Sequence, residues 1–467
     1  MSLQNTRHTP AELSALLTNV KHLWFIGIGG VHMSALALLA RARGFAVAGS
    51  DRTENEHTER LRQAGITVYI GHDAAHMMGA EAVIYTLAIS PDNPEYRTAK
   101  SLTLPCISRA DFLGFLTATC NRRIGIAGTH GKSTVTAMLG ETLWRLGRLP
   151  NIVCGATMRA FEAPFFAGGG EEFVFEACEY GNSFLCLDPT IAVILNAELD
   201  HVDFFENEAV LRAAFADFAK GAEQLLLPAE DKALIAAVAQ AGRTPVTFGL
   251  HANADYRATA LVRGKTGYAF DLTTPTGTVG RITLSVPGLH NVKNALAAAG
   301  AALLCGVTPE RLLPALADFR GIARRMEYKG IFCGAAVFDD YAHHPTEIEA
   351  SLTAARTLLG GGRLFVVFQS HTYTRTHAFF DEIAKALRAA DRVIVADIYA
   401  AREHSHLNVT ATALATATGT HASYEGGLSD ITATLSRELA PGDLLMIMGA
   451  GDIDRIFTLF WTKDFTL

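Results

Sequence analysis

The chain has 467 residues, of which 49% are hydrophobic and 19% are charged, a composition typical of folded globular proteins rather than disordered ones. A single hydrophobic core stops growing well below this length, so the sequence predicts several domains. A net charge of −7 provides no broad basic field, and we therefore expect no nucleic-acid partner.

Membrane insertion and secretion are not expected. No apolar run approaches the roughly 20 residues that span a bilayer, and the first residues lack the apolar core of a signal peptide. The seven cysteines are scattered without CxxC spacing, which argues against a disulfide framework or a zinc ribbon. These features predict a cytoplasmic protein in a reducing compartment.

The first domain is predicted over residues 1–120 as an open α/β unit. A buried strand, His22–Ile26, runs into the glycine-rich loop Gly27–Ser34 and a helix, and the next strand ends at Asp51. This order is similar to the dinucleotide-binding fingerprint. His32 stands where the third glycine of that fingerprint is expected, which disfavours a dehydrogenase and leaves open the diphosphate of another nucleotide.

The second domain is predicted over residues 121–327 and opens with a strand, a glycine-rich turn and a helix at Arg123–Thr134. This order suits a nucleotide phosphate, because backbone N–H groups and the helix N-terminus favour an anion. Lys132 would neutralise phosphate charge, and the Ser133 hydroxyl would lie on Mg²⁺. Ile126 occupies the place of the first glycine in the strict phosphate-loop pattern.

Polar groups follow two further predicted strands of this domain. Glu176 and Glu179 follow the strand at Phe173, and His201 comes shortly after the strand Ile191–Asn196. Carboxylate, hydroxyl and imidazole groups together suit a Mg²⁺ ion that bridges phosphates. Between residues 245 and 287 the residues alternate between turn signals, which predicts antiparallel strands.

The third domain is predicted over residues 328–467 as another α/β unit of strands that end in polar loops. Arginine forks suit carboxylate or phosphate recognition, because a guanidinium group can bind two oxygens. Cationic and imidazole groups cluster in and just before this domain, at Arg324, Arg325, His343, His344, His371 and Arg375.

These motifs, in this order, resemble the Mur ligase family of ATP-dependent amide-forming ligases over nearly the whole chain. The glycine loop after the first strand resembles the UDP-binding loop of that family, and the glycine loop at Gly125–Ser133 resembles its ATP loop. Later segments resemble its metal, substrate, adenine and C-terminal motifs. The segments that carry the resemblance are Gly27–Ser34, Gly125–Ser133, Glu176–Phe184, Asn196–Asp203, Gly288–Asn294, Arg324–Glu327, Asp339–Pro345 and His371–Thr376.

The resemblance implies an α/β fold of three domains. They are a Rossmann-like UDP-binding domain, a central P-loop ATPase-like domain and a Rossmann-like C-terminal domain. The central sheet is expected to be mostly parallel with a small antiparallel sheet. The implied reaction is phosphorylation of the carboxylate of UDP-N-acetylmuramate by ATP, followed by attack of L-alanine on the acyl phosphate. Mg²⁺ is the implied cofactor, with Mn²⁺ as a substitute, and we expect a monomer or weak homodimer.

The resemblance also assigns residues to sites. The catalytic residues are Lys132, Glu176 and His201, and the metal ligands are Ser133, Glu176 and His201. The ATP-binding residues are Gly128, Thr129, His130, Gly131, Lys132, Ser133, Thr134, His290, Asn291, Asn294, Arg324 and Arg325. The UDP-sugar-binding residues are Gly27, Ile28, Gly29, Gly30, His32, Met33, Ser34, Asp51 and Ser183. The amino-acid-binding residues are Tyr341, His343, His371 and Arg375, with Arg375 on the alanine carboxylate.

Departures from the family pattern bear on the branch. Other branches place a carbamylated lysine after the Asp-His motif, whereas Leu211–Phe218 contains no lysine. This favours the branch that adds L-alanine to the muramate. Thr372, Ser370 and Tyr180 replace residues common among relatives, so the acceptor and substrate contacts there stay open.

Three alternatives remain. A recycling ligase would join a preformed tripeptide to the same nucleotide sugar, and a regulatory protein would bind the nucleotides without turnover. A dehydrogenase is disfavoured by His32 and by the presence of another phosphate loop at Gly125–Ser133.

Overall fold

The computed structural model describes residues 3–401, 403, 407–460 and 465–466. The chain forms two compact units. The first comprises the residues up to Glu198 together with Glu208–Arg257 and Ala297–Leu316. The second comprises Leu199–Asn207, Ala258–Leu296 and the residues from Ala317 onward. Among the described residues, no helix combines the length and the apolar character that crossing a membrane requires.

The N-terminal part of the first unit is a parallel sheet. Its strands are β1 His22–Ile26, β2 Ala46–Asp51, β3 Thr67–Ile70, β4 Ala82–Tyr85 and β5 Cys106–Ser108. Its helices are α1 Pro10–Leu17, α2 Val31–Ala42, α3 Glu56–Gln63, α4 Pro94–Ser101 and α5 Arg109–Thr117, with a 3₁₀ turn at Ala74–Met77. The strand order is β3-β2-β1-β4-β5. The order reverses between β1 and β4, which is the switch point where open α/β sheets bind ligands.

The central part of the first unit is a mostly parallel sheet. Its strands are β6 Arg122–Ala127, β7 Asn151–Met158, β8 Ala163–Ala167, β9 Glu172–Glu176, β10 Ile191–Ile194, β11 Gln224–Pro228 and β12 Val246–Gly249. They lie in the order β12-β11-β10-β6-β9-β7-β8, and the β7–β8 pair is antiparallel. Since β9 and β10 flank β6, the polar groups that follow these three strands meet at one edge of the sheet.

Helices and a further antiparallel segment follow along the chain and are divided between the two units. The helices are α6 Lys132–Arg145, α7 Glu208–Lys220, α8 Lys232–Gln240, α9 Leu289–Leu304 and α10 Pro309–Ala317, with a 3₁₀ segment at Tyr180–Cys186. The strands are β13 Tyr256–Arg263, β14 Tyr268–Thr274 and β15 Gly277–Thr283. β14 and β15 pair antiparallel, which confirms the antiparallel strands predicted between residues 245 and 287.

The C-terminal part of the second unit is a seven-stranded sheet. Its strands are β16 Glu327–Phe332, β17 Ala335–Asp340, β18 Leu364–Gln369, β19 Arg392–Val395, β20 Ala422–Tyr424, β21 Leu444–Gly449 and β22 Phe465–Thr466. Its helices are α11 Pro345–Leu358, α12 Tyr373–Ala378, α13 Phe380–Leu387, α14 Ala411–Thr418, α15 Leu428–Glu438 and α16 Phe457–Phe460, with a 3₁₀ turn at Ile453–Ile456. The strand order is β20-β19-β18-β21-β17-β16-β22, and β16 runs in the opposite direction to the other six described strands.

Two hydrophobic clusters cover opposite faces of this C-terminal sheet. One joins the strands to helices such as α11 and α13, through residues that include Leu352 and Ile383. The other joins them to α15 and the last helical turns, through residues that include Ile431 and Phe460. Helices on both faces of a mainly parallel sheet define a doubly wound α/β unit. The predicted three-domain α/β class is confirmed, whereas the boundaries at 120/121 and 327/328 stay a prediction.

Candidate active site

The glycine loop of the central region lies between β6 and α6. Gly128 and Gly131 have φ angles of 134° and 83°, in a region that glycine adopts without steric cost. Asn196, at the end of the neighbouring strand β10, fixes the loop. Its Oδ1 accepts the backbone N–H of His130 at 2.8 Å, and its Nδ2 donates to the His130 carbonyl at 3.1 Å.

Thr129 ties the same loop to the residues after Asn196. Its hydroxyl donates to the Glu198 carbonyl at 2.7 Å and lies 3.1 Å from the Glu198 backbone nitrogen. Thr134 is buried in the first turn of α6. The loop conformation is therefore set by protein contacts, a preorganisation that favours phosphate binding.

Lys132 begins α6 and folds back over the loop. Its Nζ donates to the carbonyls of Gly128 at 2.5 Å and Thr129 at 3.0 Å, and it lies 3.0 Å from a carboxylate oxygen of Glu179. Burial alone would lower the pKa of Lys132. The negative charge of Glu179 outweighs that effect, and the pKa lies above its ordinary value. The lysine is therefore a fixed positive charge beside the loop.

Ser133 and the buried Glu176 form a pair next to this lysine. The Ser133 hydroxyl donates to Glu176 Oε2 at 2.8 Å, and the backbone N–H of Gly155 donates to the same oxygen at 2.8 Å. Burial raises the pKa of Glu176, but His32, Lys132 and these hydrogen bonds lower it, and the net pKa is below its ordinary value. Glu176 is therefore ionised and held in place.

The donor set at this pair fits a hard cation. A hydroxyl and a buried carboxylate oxygen, 2.8 Å apart, are ligand types that Mg²⁺ accepts together with phosphate oxygens. His201, the third predicted ligand, belongs to the second unit. Its backbone has a φ angle of 51°, and its N–H donates to Asp200 Oδ1 at 2.7 Å.

The N-terminal glycine loop follows β1 at the switch point. Gly27 has a φ angle of 81°, and a Cβ added to it would lie 2.7 Å from Thr86 Cγ2. The Gly29 N–H donates to Asp51 Oδ2 at 2.8 Å, and Asn55 Nδ2 donates to the Gly29 carbonyl at 3.2 Å. The Asp51 carboxylate therefore fixes the backbone of the glycine loop.

The side chains of several predicted UDP-sugar residues are directed into the protein itself. Ile28 and Met33 are buried in the core, and the Ser34 hydroxyl donates to the Val31 carbonyl at 2.9 Å. His32 differs, because its Nε2 is buried and has no hydrogen-bond partner in the described part of the chain. Burial and the positive charge of Arg109 lower the pKa of His32 to about 4, so this ring is neutral near pH 7.

In the second unit, the predicted adenine-side residues lie together at the start of α9. Asn291 Nδ2 donates to the Pro287 carbonyl at 2.7 Å, and Asn294 Nδ2 donates to Asn291 Oδ1 at 3.0 Å. Burial and the nearby guanidinium of Arg325 lower the pKa of His290 to about 4. His290 is therefore a neutral hydrogen-bonding group near pH 7.

The two predicted arginines flank Tyr341. The guanidinium carbons of Arg324 and Arg325 lie 5.0 and 5.4 Å from the centre of the Tyr341 ring. Arg325 also pairs with Glu347 at 3.0 Å, and His343 Nδ1 lies 3.3 Å from that same carboxylate. The structure thus brings residues predicted for ATP and residues predicted for the amino acid into one cluster, joined by Glu347.

Arg375 binds a carboxylate of the protein itself. Its Nε and Nη2 donate to the two carboxylate oxygens of Asp200 at 2.9 and 3.1 Å, and its Nη1 lies 3.0 Å from His371 Nδ1. Burial raises the pKa of Asp200, but the positive charges of Arg375 and His201 lower it by more than burial raises it. The net pKa is therefore well below its usual range. The guanidinium fork is thus built for a carboxylate.

Burial is the largest influence on the histidines of this cluster. It lowers the pKa of His343 to about 3 and that of His371 to about 4.

Of the residues that depart from the family pattern, Ser370 pairs its hydroxyl with that of Thr376 at 2.5 Å. Thr372 has a φ angle of 68° and caps α12. Both side chains thus support the segment that carries Arg375.

Several supporting residues are not predicted from the sequence. Glu179, Asn196 and Asp200 were predicted only as polar groups suited to Mg²⁺, whereas in the structure they hold Lys132, the glycine loop and Arg375, respectively. Gly155 gives no signal, since a glycine within a strand has many explanations. A Cβ at Gly155 would lie 2.5 Å from Glu176 Oε2, so the buried carboxylate requires glycine there.

The phosphate loop, the fixed lysine and the Ser133–Glu176 pair, set in mostly parallel sheets, define a phosphate-loop nucleotide-binding protein. Three family models match the chain: the catalytic domain of the Mur ligase family at residues 22–119, the Mur ligase middle domain at 126–302, and the Mur ligase glutamate ligase domain at 324–451. The chain belongs to the Mur ligase family.

Individual relatives match over nearly their whole length. The UDP-N-acetylmuramate–L-alanine ligase of Caldicellulosiruptor bescii is 39% identical over 94% of this chain and 98% of its own. That of Aquifex aeolicus is 36% identical over 96% and 98%. Two crystal structures are also similar. The UDP-N-acetylmuramate–alanine ligase of Thermotoga maritima has a TM-score of 0.81 at 27% identity, covering 94% of this chain and 98% of that one. A murein peptide ligase of Psychrobacter arcticus has a TM-score of 0.73 at 26% identity, covering 95% and 98%.

Proposed function

We propose that the chain is an ATP-dependent ligase that joins L-alanine to the carboxylate of UDP-N-acetylmuramate in peptidoglycan precursor synthesis. The observation that carries this proposal is the match to ligases named for this reaction, at 36–39% identity over 98% of their length. The phosphate loop of this chain, which protein contacts hold in place, also supports the proposal.

The chemistry asks the protein to bring two anions together. ATP donates its γ-phosphoryl group to the muramyl carboxylate, the amine of L-alanine attacks the acyl carbon, and inorganic phosphate leaves. Lys132, already held as a cation beside the loop, would exchange its loop carbonyls for phosphate oxygens and offset their charge. The glycine loop at the switch point of the N-terminal sheet would bind the UDP diphosphate.

Mg²⁺ is the cofactor we propose, in a family that depends on ATP and needs a divalent metal. Ser133 and Glu176 would hold the ion, with His201 as a third ligand. When bound, the ion supplies charge neutralisation of the phosphate oxygens. Glu176 is suited to this role because it is ionised, buried and fixed by two hydrogen bonds.

We propose that the amino-acid site comprises Tyr341, His343, His371 and Arg375. The Arg375 fork binds both oxygens of the Asp200 carboxylate, and a guanidinium group held in this way is suited to the carboxylate of L-alanine. A cytoplasmic location and a monomer or weak homodimer stay predictions.

The tripeptide-recycling ligase is the other candidate, and the similarity to a murein peptide ligase supports it. The higher TM-score with the alanine ligase, 0.81 against 0.73, favours the addition of L-alanine. A binding protein without turnover is disfavoured, because Lys132 is held beside the loop and Ser133 is hydrogen-bonded to Glu176.

Phosphate release tests the proposal directly. The purified chain is mixed with ATP, Mg²⁺, UDP-N-acetylmuramate and one amino acid or the tripeptide at a time. We expect release with L-alanine. Release with the tripeptide alone would identify the recycling ligase, and no release with any acceptor would identify the binding protein.

Gly155→Ala is expected to lower turnover by about 100-fold, because displacing a metal-binding carboxylate by about 1 Å costs that much. The added methyl group would lie 2.5 Å from Glu176 Oε2. Phosphate release and thermal melting measure the effect. Gly360→Ala is the matched control, since a Cβ there meets nothing within 4 Å. Unchanged turnover in a folded Gly155→Ala variant would contradict the role of Glu176.

A further inference from the structure

The N-terminal arm, residues 3–9, crosses the switch point of the first sheet. The Gln4 carbonyl accepts the Tyr85 hydroxyl at 2.9 Å at the end of β4. The backbone N–H groups of Thr6 and His8 each donate to the Asp111 carboxylate at 3.1 Å, in the first turn of α5. The arm is therefore fixed over the carboxyl ends of the strands, where such sheets bind ligands.

Asn5, in the middle of this arm, has a fixed amide orientation. Its Nδ2 donates to the Gly181 carbonyl at 3.0 Å and to the Ser183 hydroxyl oxygen at 3.3 Å. Because a carbonyl oxygen only accepts hydrogen bonds, the NH₂ group must face Gly181. The Oδ1 of Asn5 is buried and has no hydrogen-bond partner among the described residues.

Asn182 provides another acceptor of the same kind. It follows Gly181, and the φ angles are 53° for Asn182 and 62° for Gly181. Such left-handed backbone is costly for a residue other than glycine and recurs at ligand sites. The Oδ1 of Asn182 is also buried without a hydrogen-bond partner in the described chain. Asn5 thus binds the carbonyl of the peptide group that joins Gly181 to Asn182, and Asn182 is the next residue along the chain.

This peptide group lies close to the N-terminal glycine loop. A Cβ added to Gly181 would lie 3.1 Å from Leu87 Cδ1, and Thr86, which precedes Leu87, closes on Gly27. The two acceptors therefore belong to the surroundings of the loop that we propose for the UDP diphosphate. A buried acceptor without a partner costs free energy unless a ligand supplies a donor.

We infer that Asn5 and Asn182 form an acceptor subsite for the sugar ring of the nucleotide sugar. Phosphates and an ionised carboxylate carry only acceptors, so two amide oxygens disfavour them. The hydroxyl groups and the acetamido N–H of an N-acetylated hexose are donors and suit the subsite. This assignment rests on the proposed function, deepens its sugar specificity, and gives the N-terminal arm a role in substrate recognition.

Calorimetric binding of three probes tests the subsite: UDP-N-acetylmuramate, UDP-N-acetylglucosamine and UDP. The variants are Asn5→Ala and Asn182→Gly, because glycine suits the left-handed backbone and removes only the amide. We expect each variant to weaken both sugar nucleotides by about five- to tenfold, as the loss of one hydrogen bond does, and to leave UDP within about twofold. Asn182→Asp, which keeps acceptor oxygens at this position, serves as the conservative variant and should bind more tightly than Asn182→Gly.

Gln4→Ala is the matched control on the arm, since its side chain is exposed and its carbonyl contact persists. Equal weakening of UDP would place the contact on the uridine diphosphate and overturn the assignment. Weakening of UDP-N-acetylmuramate alone would place it on the lactyl group and overturn it too, as would unchanged binding of all three probes. Phosphate release by the wild-type chain is measured in parallel. Absence of turnover with an intact Asn5-dependent preference for sugar nucleotides would reject the ligase and retain the subsite.

Discussion

Lys132→Ala should lower the rate of phosphate release by about 100- to 1000-fold, the effect of removing one preorganised charge from a transferring phosphoryl group. The lysine lies within 3.0 Å of two loop carbonyls, and its charge is maintained by Glu179. Without it, the γ-phosphate and the muramyl carboxylate would meet with less of their charge offset. Steady-state phosphate release measures the change.

Two measurements separate this role from a general loss of structure. Binding of UDP-N-acetylmuramate should stay within about twofold, because Lys132 belongs to the other glycine loop. Lys232→Ala, at an exposed position at the start of α8, should leave the rate unchanged. If Lys132→Ala keeps more than about a tenth of the rate, Lys132 does not stabilise the transition state as proposed, since such a group contributes several kcal/mol.

Arg375→Ala is expected to destabilise the chain by about 3–5 kcal/mol and to raise the KM for L-alanine. The destabilisation follows because Asp200, 5% exposed, would be left as an unpaired buried carboxylate. The rise in KM follows because the substrate carboxylate loses its bidentate partner. Thermal unfolding and steady-state kinetics measure the two effects. Arg281→Ala, which breaks an exposed ion pair with Asp271, should cost no more than about 1 kcal/mol.

The pH dependence of stability gives an independent check on the Asp200–Arg375 pair. The pKa of folded Asp200 is depressed, so the pair stabilises the folded chain above the unfolded pKa of about 4. This stability is lost as pH falls through the lower folded pKa. Arg375→Ala should therefore melt with less dependence on pH below about 4 than the wild type. Identical acid profiles would show that the ion pair does not stabilise the fold. An unchanged KM would reject Arg375 as the carboxylate anchor.

The strands that the sequence predicts well are those with strong local signals. β1 is a continuous apolar run, and its ends are as predicted, because such a buried strand has no alternating pattern to blur. The edge strands β8 and β20 were not predicted, because their burial is partial and their pairing depends on distant segments.

In the candidate site, too, residues of local motifs could be predicted from the sequence, whereas their distant partners could not. Residues in contiguous motifs, such as Lys132 and Ser133, are readable because the chain itself places them on one loop. The partners that hold them come from elsewhere: Gly155 lies in β7 and Glu179 follows β9. The engagement of Arg375 by Asp200 joins residues 175 positions apart. No local pattern encodes such contacts, because they arise from the strand order and from packing.

An isotope-transfer experiment tests the central claim most directly. UDP-N-acetylmuramate is labelled with ¹⁸O at both carboxylate oxygens and incubated with ATP, Mg²⁺, L-alanine and the chain. If the carboxylate attacks the γ-phosphorus and the amine then displaces phosphate, the bridging oxygen leaves with the phosphate. Mass spectrometry should therefore find one labelled oxygen in each released phosphate and the other in the new amide. Release of unlabelled phosphate alongside amide formation would contradict the acyl-phosphate route.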